Sequence, residues 1–87
     1  MASYKLEWKK SAVKDLKNLP RDLMTKVLRA VEQLAESPFP HGVKKLTGAE
    51  HSYRIREGSY RILYTVTKAT LIVEIIKIGH RKDVYEK

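Results

Sequence analysis

The chain has 87 residues, 43% of them hydrophobic, and carries 18 lysines and arginines against 10 aspartates and glutamates. This length and composition predict one small folded domain over residues 1–87 and exclude a disordered chain. The sequence contains no cysteine, which excludes disulfide bridges, thiolate zinc sites and a cysteine nucleophile. The net charge of +8 favours an anionic partner, which can be nucleic acid, an anionic membrane surface or an acidic protein.

The sequence predicts neither a membrane-spanning segment nor a metal site. No apolar run is long enough to span a bilayer, and the first residues lack the hydrophobic core of a signal peptide. Together with the absence of cysteine, this predicts a cytoplasmic protein without a membrane partner. His41, His51 and His80 share no ligand spacing, so we expect neither a metal site nor a cofactor.

The first half of the chain predicts one strand followed by two helices. Residues 4–8, YKLEW, alternate between apolar and polar side chains, as a strand does. Apolar residues recur at helical spacing through residues 9–19 and again over residues 20–36. Pro20 separates the two helices, because proline is tolerated in the first turn of a helix and disfavoured inside one. The short connection predicts an antiparallel pair of helices.

The second half predicts a loop, a hairpin and a buried strand. Residues 37–42, SPFPHG, predict a loop, and residues 43–51 are predicted to be irregular. Residues 52–64 read SYRIREGSYRILY, two alternating runs around a Gly-Ser pair, which predicts a hairpin with a type II′ turn. Residues 70–79 are almost continuously apolar and predict a strand buried on both faces.

These elements predict an α+β fold of order β-α-α-β-β-β. A two-helix hairpin should pack on one face of a mostly antiparallel four-stranded sheet. Strand alternation assigns one set of side chains to the core under the helices: Tyr53, Ile55, Ile62, Tyr64, Val66, Leu71, Val73 and Ile75. A second set points to the other face, which water or a ligand reaches: Arg54, Arg56, Arg61, Leu63 and Thr65.

The predicted hairpin brings arginines together. With the Gly-Ser pair as the loop, Arg56 faces Arg61 directly, and Arg54 lies diagonally close. Like charges directly opposite each other destabilise a sheet, so a functional reason for the pair is favoured. Guanidinium groups match phosphate oxygens, which indicates an anion-binding surface. The other interpretation is a solvated basic face whose arginines pair with Glu57 and Glu74.

The C-terminal segment also contains residues that can carry chemistry. His80, Arg81 and Tyr85 follow the last predicted strand. Histidine and tyrosine side chains can act as general acids or bases, and an arginine can bind phosphate. From composition alone, an ordinary polar C-terminus is the favoured interpretation.

Three segments resemble the RelE toxins of the RelE/ParE superfamily: residues 19–38, LPRDLMTKVLRAVEQLAESP, residues 53–66, YRIREGSYRILYTV, and residues 75–85, IIKIGHRKDVY. The resemblance covers nearly the whole chain, and its most specific parts are the arginine hairpin and the Gly-His-Arg…Tyr terminus. Toxins of this type are held inactive by a cognate antitoxin. The resemblance implies a RelB-like antitoxin as partner, and a toxin that enters the ribosomal A site and cuts mRNA there without a metal ion.

The resemblance also implies which residues are catalytic: Arg54, Arg56, Arg61, Arg81 and Tyr85. In the family's reaction the ribose 2′-OH attacks the adjacent phosphorus and the 5′-oxygen leaves. Fixed positive charge then stabilises the negative charge that develops in the transition state.

The general base is expected near the C-terminus. Arg54 and Arg56 stand where the best-known RelE pattern has lysines, and an arginine does not accept a proton in practice. Tyr85 is therefore the first candidate for activating the 2′-OH, and His80 is the second. Arg81 is expected to stabilise the leaving oxygen. The predicted RNA-binding residues are Lys44, Lys45 and Lys82.

Two other functions stay open at this stage. ParE toxins share the fold but poison DNA gyrase and lack the nuclease residues, whereas all five positions carry suitable residues here. The second alternative is a catalytically inactive module that binds RNA or an antitoxin. A nuclease needs Arg81 and Tyr85, whereas a binding module tolerates their loss.

Overall fold

The structure is a computed structural model that describes residues 3–48 and 50–80. Its elements are, in chain order, β1 (Lys5–Trp8), α1 (Lys10–Lys17), α2 (Arg21–Glu36), β2 (Lys44–Lys45), β3 (Ser52–Glu57), β4 (Tyr60–Thr67) and β5 (Ile72–His80). The strands form one sheet of order β1-β5-β4-β3-β2, in which β1 is parallel to β5 and the other pairs are antiparallel. The predicted α+β fold is confirmed, with one short strand added.

The added strand, β2, lies in the segment 43–51 that was expected to be irregular. Lys44 pairs with Arg54, and Lys45 pairs with Tyr53. Two residues are too few to show an alternating pattern, so periodicity does not reveal such a strand. Because β2 ends opposite Arg54, the outer edge of β3 from residue 55 to residue 57 has no strand partner in the described part of the chain.

The two helices lie on one face of the sheet, and Pro20 separates them as predicted. Helix α2 begins at the next residue, and the Pro20 carbonyl oxygen accepts a hydrogen bond from the Met24 amide at 2.8 Å. Neither helix in the described residues is long and apolar enough to cross a membrane. The helices contribute one stripe of side chains to the core: Ala12, Val27, Val31 and Leu34.

The core lies between this stripe and the inner face of the three long strands. The buried sheet residues are Ile55, Ile62, Tyr64, Val66, Val73, Ile75 and Ile78. The prediction for Leu71 is wrong, because this side chain is 39% exposed and its backbone has a φ of 56°. The turn between β4 and β5 extends through residue 71, so the strand alternation begins only at Ile72.

The Tyr64 hydroxyl attaches the 37–42 loop to the core. The side chain is fully buried, and its hydroxyl donates a hydrogen bond to the carbonyl oxygen of Pro38 at 2.7 Å. Burial, with a smaller contribution from Tyr53, raises the pKa of Tyr64 well above its ordinary value. On the same loop, the Phe39 ring meets the Tyr53 ring edge-on at 5.0 Å, and the Lys68 ammonium lies 5.2 Å from the Phe39 ring centroid.

A β-bulge in β5 changes which of its residues face the core. Tyr64 pairs with Ile75, but the preceding Leu63 pairs with Lys77, so Ile76 is an extra residue in the strand. The alternation shifts by one position after it. As a result Ile78 is buried, at 3% exposure, and Lys77 is exposed.

Candidate active site

The β3–β4 hairpin has the register that the sequence predicts. Gly58, the first of the two loop residues, has a φ of 62°, as a type II′ turn requires. Arg56 lies directly opposite Arg61, and Arg54 lies opposite Leu63. The predicted cross-strand pair of arginines is therefore confirmed.

The arginine pair is part of a row across three strands. Arg61 lies opposite Arg56 on one side and opposite Gly79 on the other. Because Gly79 has no side chain, the Arg61 side chain has one bulky neighbour in the row instead of two. Arg56 is exposed, whereas Arg61 is partly buried. A small cavity of about 50 Å³ lies at the turn and is lined by Arg56, Gly58, Ser59, Tyr60 and Arg61.

The two glutamates considered as partners of the arginines lie outside this row. Glu57 pairs with Tyr60, so by alternation it points to the other face of the sheet. Glu74 lies opposite Thr65, four residues along the strand from Arg61, which is about 13 Å. Within residues 3–48 and 50–80, no salt bridge joins Arg56 to a carboxylate. The Arg56 charge is therefore not neutralised by either glutamate.

Arg54 does not lie where water reaches it freely, which corrects the sequence prediction. Its side chain is 6% exposed, and it is the buried charged residue of the described part of the chain. In the register it stands between Leu63 on β4 and Lys44 on β2. Alternation assigns a residue to one face of a strand, but it does not show what covers that face. Arg54 thus holds its positive charge beneath the surface, beside the exposed Arg56.

A basic groove runs between α2 and the outer edge of β3. Its larger part, about 450 Å³, is lined by Ala30, Gln33, Leu34, Pro40, His41, Gly42, Lys44, Arg54, Ile55, Arg56 and Glu57. An adjoining part of about 330 Å³ adds Lys26 and Arg29 from α2. Helical spacing places Lys26 and Arg29 on one face of α2, but the sequence does not show that this face borders β3. We refer to the two parts together as the α2 groove.

The remaining predicted site residues are distributed as follows. His80 is the last residue of β5 and pairs with Tyr60, with ring centroids 5.5 Å apart in an edge-to-face arrangement. By alternation the Tyr60–His80 pair lies on the face opposite Arg61, so the structure does not group His80 with the arginines. Lys44 and Lys45 are both exposed in β2, and Lys44 lines the α2 groove. Arg81, Lys82 and Tyr85 lie outside the described residues, and their roles stay predictions.

Comparison with known proteins identifies the family. The family model described as the ParE toxin of type II toxin–antitoxin systems, parDE, matches residues 6–85. The chain is also 34% identical to the putative toxin RelE1 of Methanocaldococcus jannaschii over 86 aligned residues. The alignment covers 95% of this chain and 96% of that protein. The chain belongs to the RelE/ParE superfamily of type II toxins.

Solved structures of RelE toxins with their antitoxins have the same fold as this toxin. The archaeal RelE–RelB complex from Pyrococcus horikoshii matches with a TM-score of 0.82 and 30% identity, over 94% of this chain and 99% of that one. The RelBE2 toxin–antitoxin complex from Mycobacterium tuberculosis matches with a TM-score of 0.81 and 28% identity, over 95% and 97% of the two chains.

The described part of the toxin's site supplies positive charge. Arg54, Arg56 and Arg61 carry guanidinium groups, which donate hydrogen bonds to phosphate oxygens but do not accept protons. Within the described residues, no group of three histidine, aspartate or glutamate side chains is placed to hold a metal ion. The arrangement can therefore bind a phosphodiester and stabilise negative charge on it.

Proposed function

We propose that this toxin is a ribosome-dependent endoribonuclease that cuts mRNA in the ribosomal A site and acts in the cytoplasm. The observation that carries the proposal is the direct pairing of Arg56 with Arg61 beside Gly79. A like-charge pair of this kind destabilises a sheet, and a bound phosphodiester converts the repulsion into a pair of charge-assisted hydrogen bonds.

The proposed reaction needs no metal ion. The 2′-oxygen of the ribose bonds to the adjacent phosphorus while the bond from phosphorus to the 5′-oxygen breaks, which leaves a cyclic phosphate and a 5′-hydroxyl. Arg56 and Arg61 stabilise the extra negative charge on the phosphorane oxygens. Tyr85 accepts the proton of the 2′-OH, and Arg81 stabilises the leaving 5′-oxygen, which takes up a proton from water to become the hydroxyl. Arg54, held beneath the surface, adds fixed positive charge to the same region.

The shape of the described part of the site supports ribosome dependence. The cavity at the turn, which Arg56 and Arg61 help to line, is about 50 Å³, whereas pockets that hold drug-sized ligands start at about 300 Å³. Within the described residues, the cavity beside the arginine pair is therefore too small to enclose a nucleotide. Alignment accounts for a large part of such a barrier, and the A site of the ribosome supplies it.

A cognate RelB-like antitoxin is the proposed partner that keeps the toxin inactive. The Pyrococcus horikoshii and Mycobacterium tuberculosis relatives are described as complexes with their antitoxins. In this toxin the α2 groove offers exposed cations and the strand edge at residues 55–57, which suit an acidic extended segment. An antitoxin bound there lies against Arg56 and blocks access to the arginine pair.

Poisoning of DNA gyrase is the second candidate function, because the matching family model carries the ParE description. Primer extension separates the two candidates. An mRNA is incubated with purified toxin alone, with ribosomes that have an empty A site, and with both. Cleavage within the A-site codon only when both are present supports the proposal. Efficient cutting of naked mRNA, or no cutting together with inhibition of purified gyrase, contradicts it.

A further inference from the structure

Strand β5 extends past the end of its neighbour β1, and helix α1 packs against the edge of β5 that β1 leaves unpaired. The pairing of β1 with β5 ends at Trp8 opposite Ile75. The last bond of this ladder is donated by the Lys9 amide to the Ile75 carbonyl oxygen at 3.0 Å. From Ile76 onward, β5 has no strand partner on this side in the described residues. The chain turns into α1 at this point, so the helix runs along the open edge.

Two side chains of α1 bond to the backbone of this edge. The Ser11 hydroxyl donates to the Ile76 carbonyl oxygen at 3.4 Å, which is a long and weak bond. The Asp15 carboxylate accepts a bond from the Ile78 amide at 3.1 Å, in a partly buried position. The spacings match, because four residues of a helix rise about 6 Å and two residues of a strand span about 6.6 Å.

The bulge in β5 makes these contacts possible. In a regular strand, successive carbonyl groups point to opposite sides. Here the Ile75 and Ile76 carbonyl oxygens both bond toward the β1–α1 side, to the Lys9 amide and the Ser11 hydroxyl. The extra residue at position 76 therefore turns the backbone so that the Ile78 amide faces Asp15.

The Asp15 bond lies next to the arginine row. Ile78 is opposite the fully buried Ile62, and the next pair along the strands is Gly79 with Arg61. On the far side, Arg61 is paired with Arg56, which repels it. We infer that Asp15 is a positioning residue for Arg61, because its carboxylate anchors the end of β5 to α1, one residue before Gly79, the residue of β5 with which Arg61 is paired. This inference rests on the proposed nuclease function.

The test uses the full-length toxin and three variants at position 15. Asp15→Ala removes the acceptor, whereas Asp15→Asn keeps an amide oxygen that can accept the Ile78 bond. At saturating ribosomes, the single-turnover cleavage rate of Asp15→Ala should be about tenfold to a hundredfold lower than that of the parent, because a catalytic group is slightly misplaced. Its affinity for ribosomes should be unchanged. Asp15→Asn should stay within about threefold of the parent. The third variant, Asp15→Ala combined with Arg61→Ala, should cleave no more slowly than Arg61→Ala alone, because a positioning residue acts through its target.

A core variant controls for lost stability. Val31→Ala removes buried volume from α2 and leaves the Asp15 carboxylate and the Ile78 amide in place, so it should be at least as destabilised as Asp15→Ala while it cleaves at the parental rate when folded. If Val31→Ala loses as much activity, or if the effects of Asp15→Ala and Arg61→Ala multiply, the inference is overturned.

Hydrogen exchange distinguishes a failure of the inference from a failure of the proposed function. Exchange of the amides of residues 77–79 should be faster in Asp15→Ala than in the parent, whether or not the chain is a nuclease. If the parent does not cleave mRNA on ribosomes, the proposed function fails while faster exchange still confirms the anchor. If exchange at these amides is unchanged, Asp15 does not hold the strand and the inference is overturned.

Discussion

Arg56 and Arg61 face each other directly across two antiparallel strands, and neither Glu57 nor Glu74 shares their row. The register places the Cβ atoms of directly opposite residues about 5 Å apart, so the two guanidinium groups extend from neighbouring points of the sheet. A neutral residue in place of Arg56 would remove this repulsion. We propose that the pair exists because of what it binds, since a phosphodiester supplies the charge and geometry that two guanidinium groups match.

Replacing Arg56 tests whether the pair destabilises the fold. Arg56→Thr keeps a good strand former and removes one charge, so the free energy of unfolding should rise by about 0.2–1 kcal/mol at low salt and by less at high salt. Cleavage should fall sharply in the same variant. Lys77→Thr is the matched control, because it also removes one exposed positive charge from a strand. The residue directly opposite Lys77 on β4 is Leu63, which carries no charge. Denaturant midpoints at two salt concentrations give the comparison.

Two outcomes contradict the interpretation that the arginine pair destabilises the fold and binds the scissile phosphate. If Arg56→Thr is less stable than the parent at low salt, Arg56 is neutralised by a carboxylate. If the variant is more stable and cleaves at the parental rate, the arginine pair does not hold the scissile phosphate.

The raised pKa of Tyr64 predicts a stability change at high pH. The neutral hydroxyl bonds to the Pro38 carbonyl oxygen, so Tyr64→Phe should lower the free energy of unfolding by about 0.5–1.5 kcal/mol at neutral pH. In the folded state the pKa lies above the ordinary value of 10.0, so the folded chain retains the proton that the unfolded chain releases. This contribution to stability is fully present below pH 10.0 and is lost as the pH rises above it.

The difference between parent and Tyr64→Phe should therefore shrink above pH 10.0, because phenylalanine does not titrate. Urea unfolding of both proteins at about pH 8 and about pH 11 measures it. A difference that is equal at both pH values would show that Tyr64 ionises equally easily in the two states.

Much of the fold follows from the sequence, because its signals are local. The Gly-Ser loop fixes which residues of β3 and β4 are paired, and Pro20 and the apolar spacing define the two helices. The exceptions depend on contacts between distant segments. β2 exists because Lys44 and Lys45 meet β3, and Arg54 is buried by what lies over its face.

In β5 as well, contacts between distant segments decide features that the local sequence does not predict. Its apolar run predicts a buried strand, but the bulge at Ile76 and the exposed position of Leu71 depend on how the strand meets β4 and α1. No local pattern predicts that His80 pairs with Tyr60 on the face opposite Arg61. The arginine pair was predictable because a two-residue loop determines it.

Two substitutions assign the general base. Tyr85→Phe should lower the single-turnover rate by about 10²–10⁴, the usual contribution of general acid–base catalysis, without weakening ribosome binding. His80→Gln should have an effect of only a few-fold, since the His80 ring packs on Tyr60 on the other face of the sheet. Unchanged cleavage by Tyr85→Phe, together with a large loss in His80→Gln, would move the assignment to His80.

Charge reversal in the α2 groove tests the proposed antitoxin site. Arg29→Glu places a carboxylate in the groove beside Glu57 and should weaken binding of an acidic antitoxin segment roughly tenfold, with a smaller effect at high salt. Lys17→Glu, an equal charge change on α1, should leave the affinity almost unchanged. Calorimetric titration of each variant with the cognate antitoxin measures the difference. Equal losses in the two variants would show that net charge, and not the groove, governs binding.

The central claim is that the arginine pair stabilises the transition state of RNA cleavage, and the Arg61→Ala variant tests it most directly. The measurement is the single-turnover rate of mRNA cleavage on ribosomes with an empty A site, beside the Lys77→Ala control. Arg61→Ala should be folded, should bind ribosomes like the parent and should cleave about 10²–10³ times more slowly, while Lys77→Ala should cleave normally. A folded Arg61→Ala variant that cleaves at the parental rate would show that the arginine pair does not stabilise the transition state.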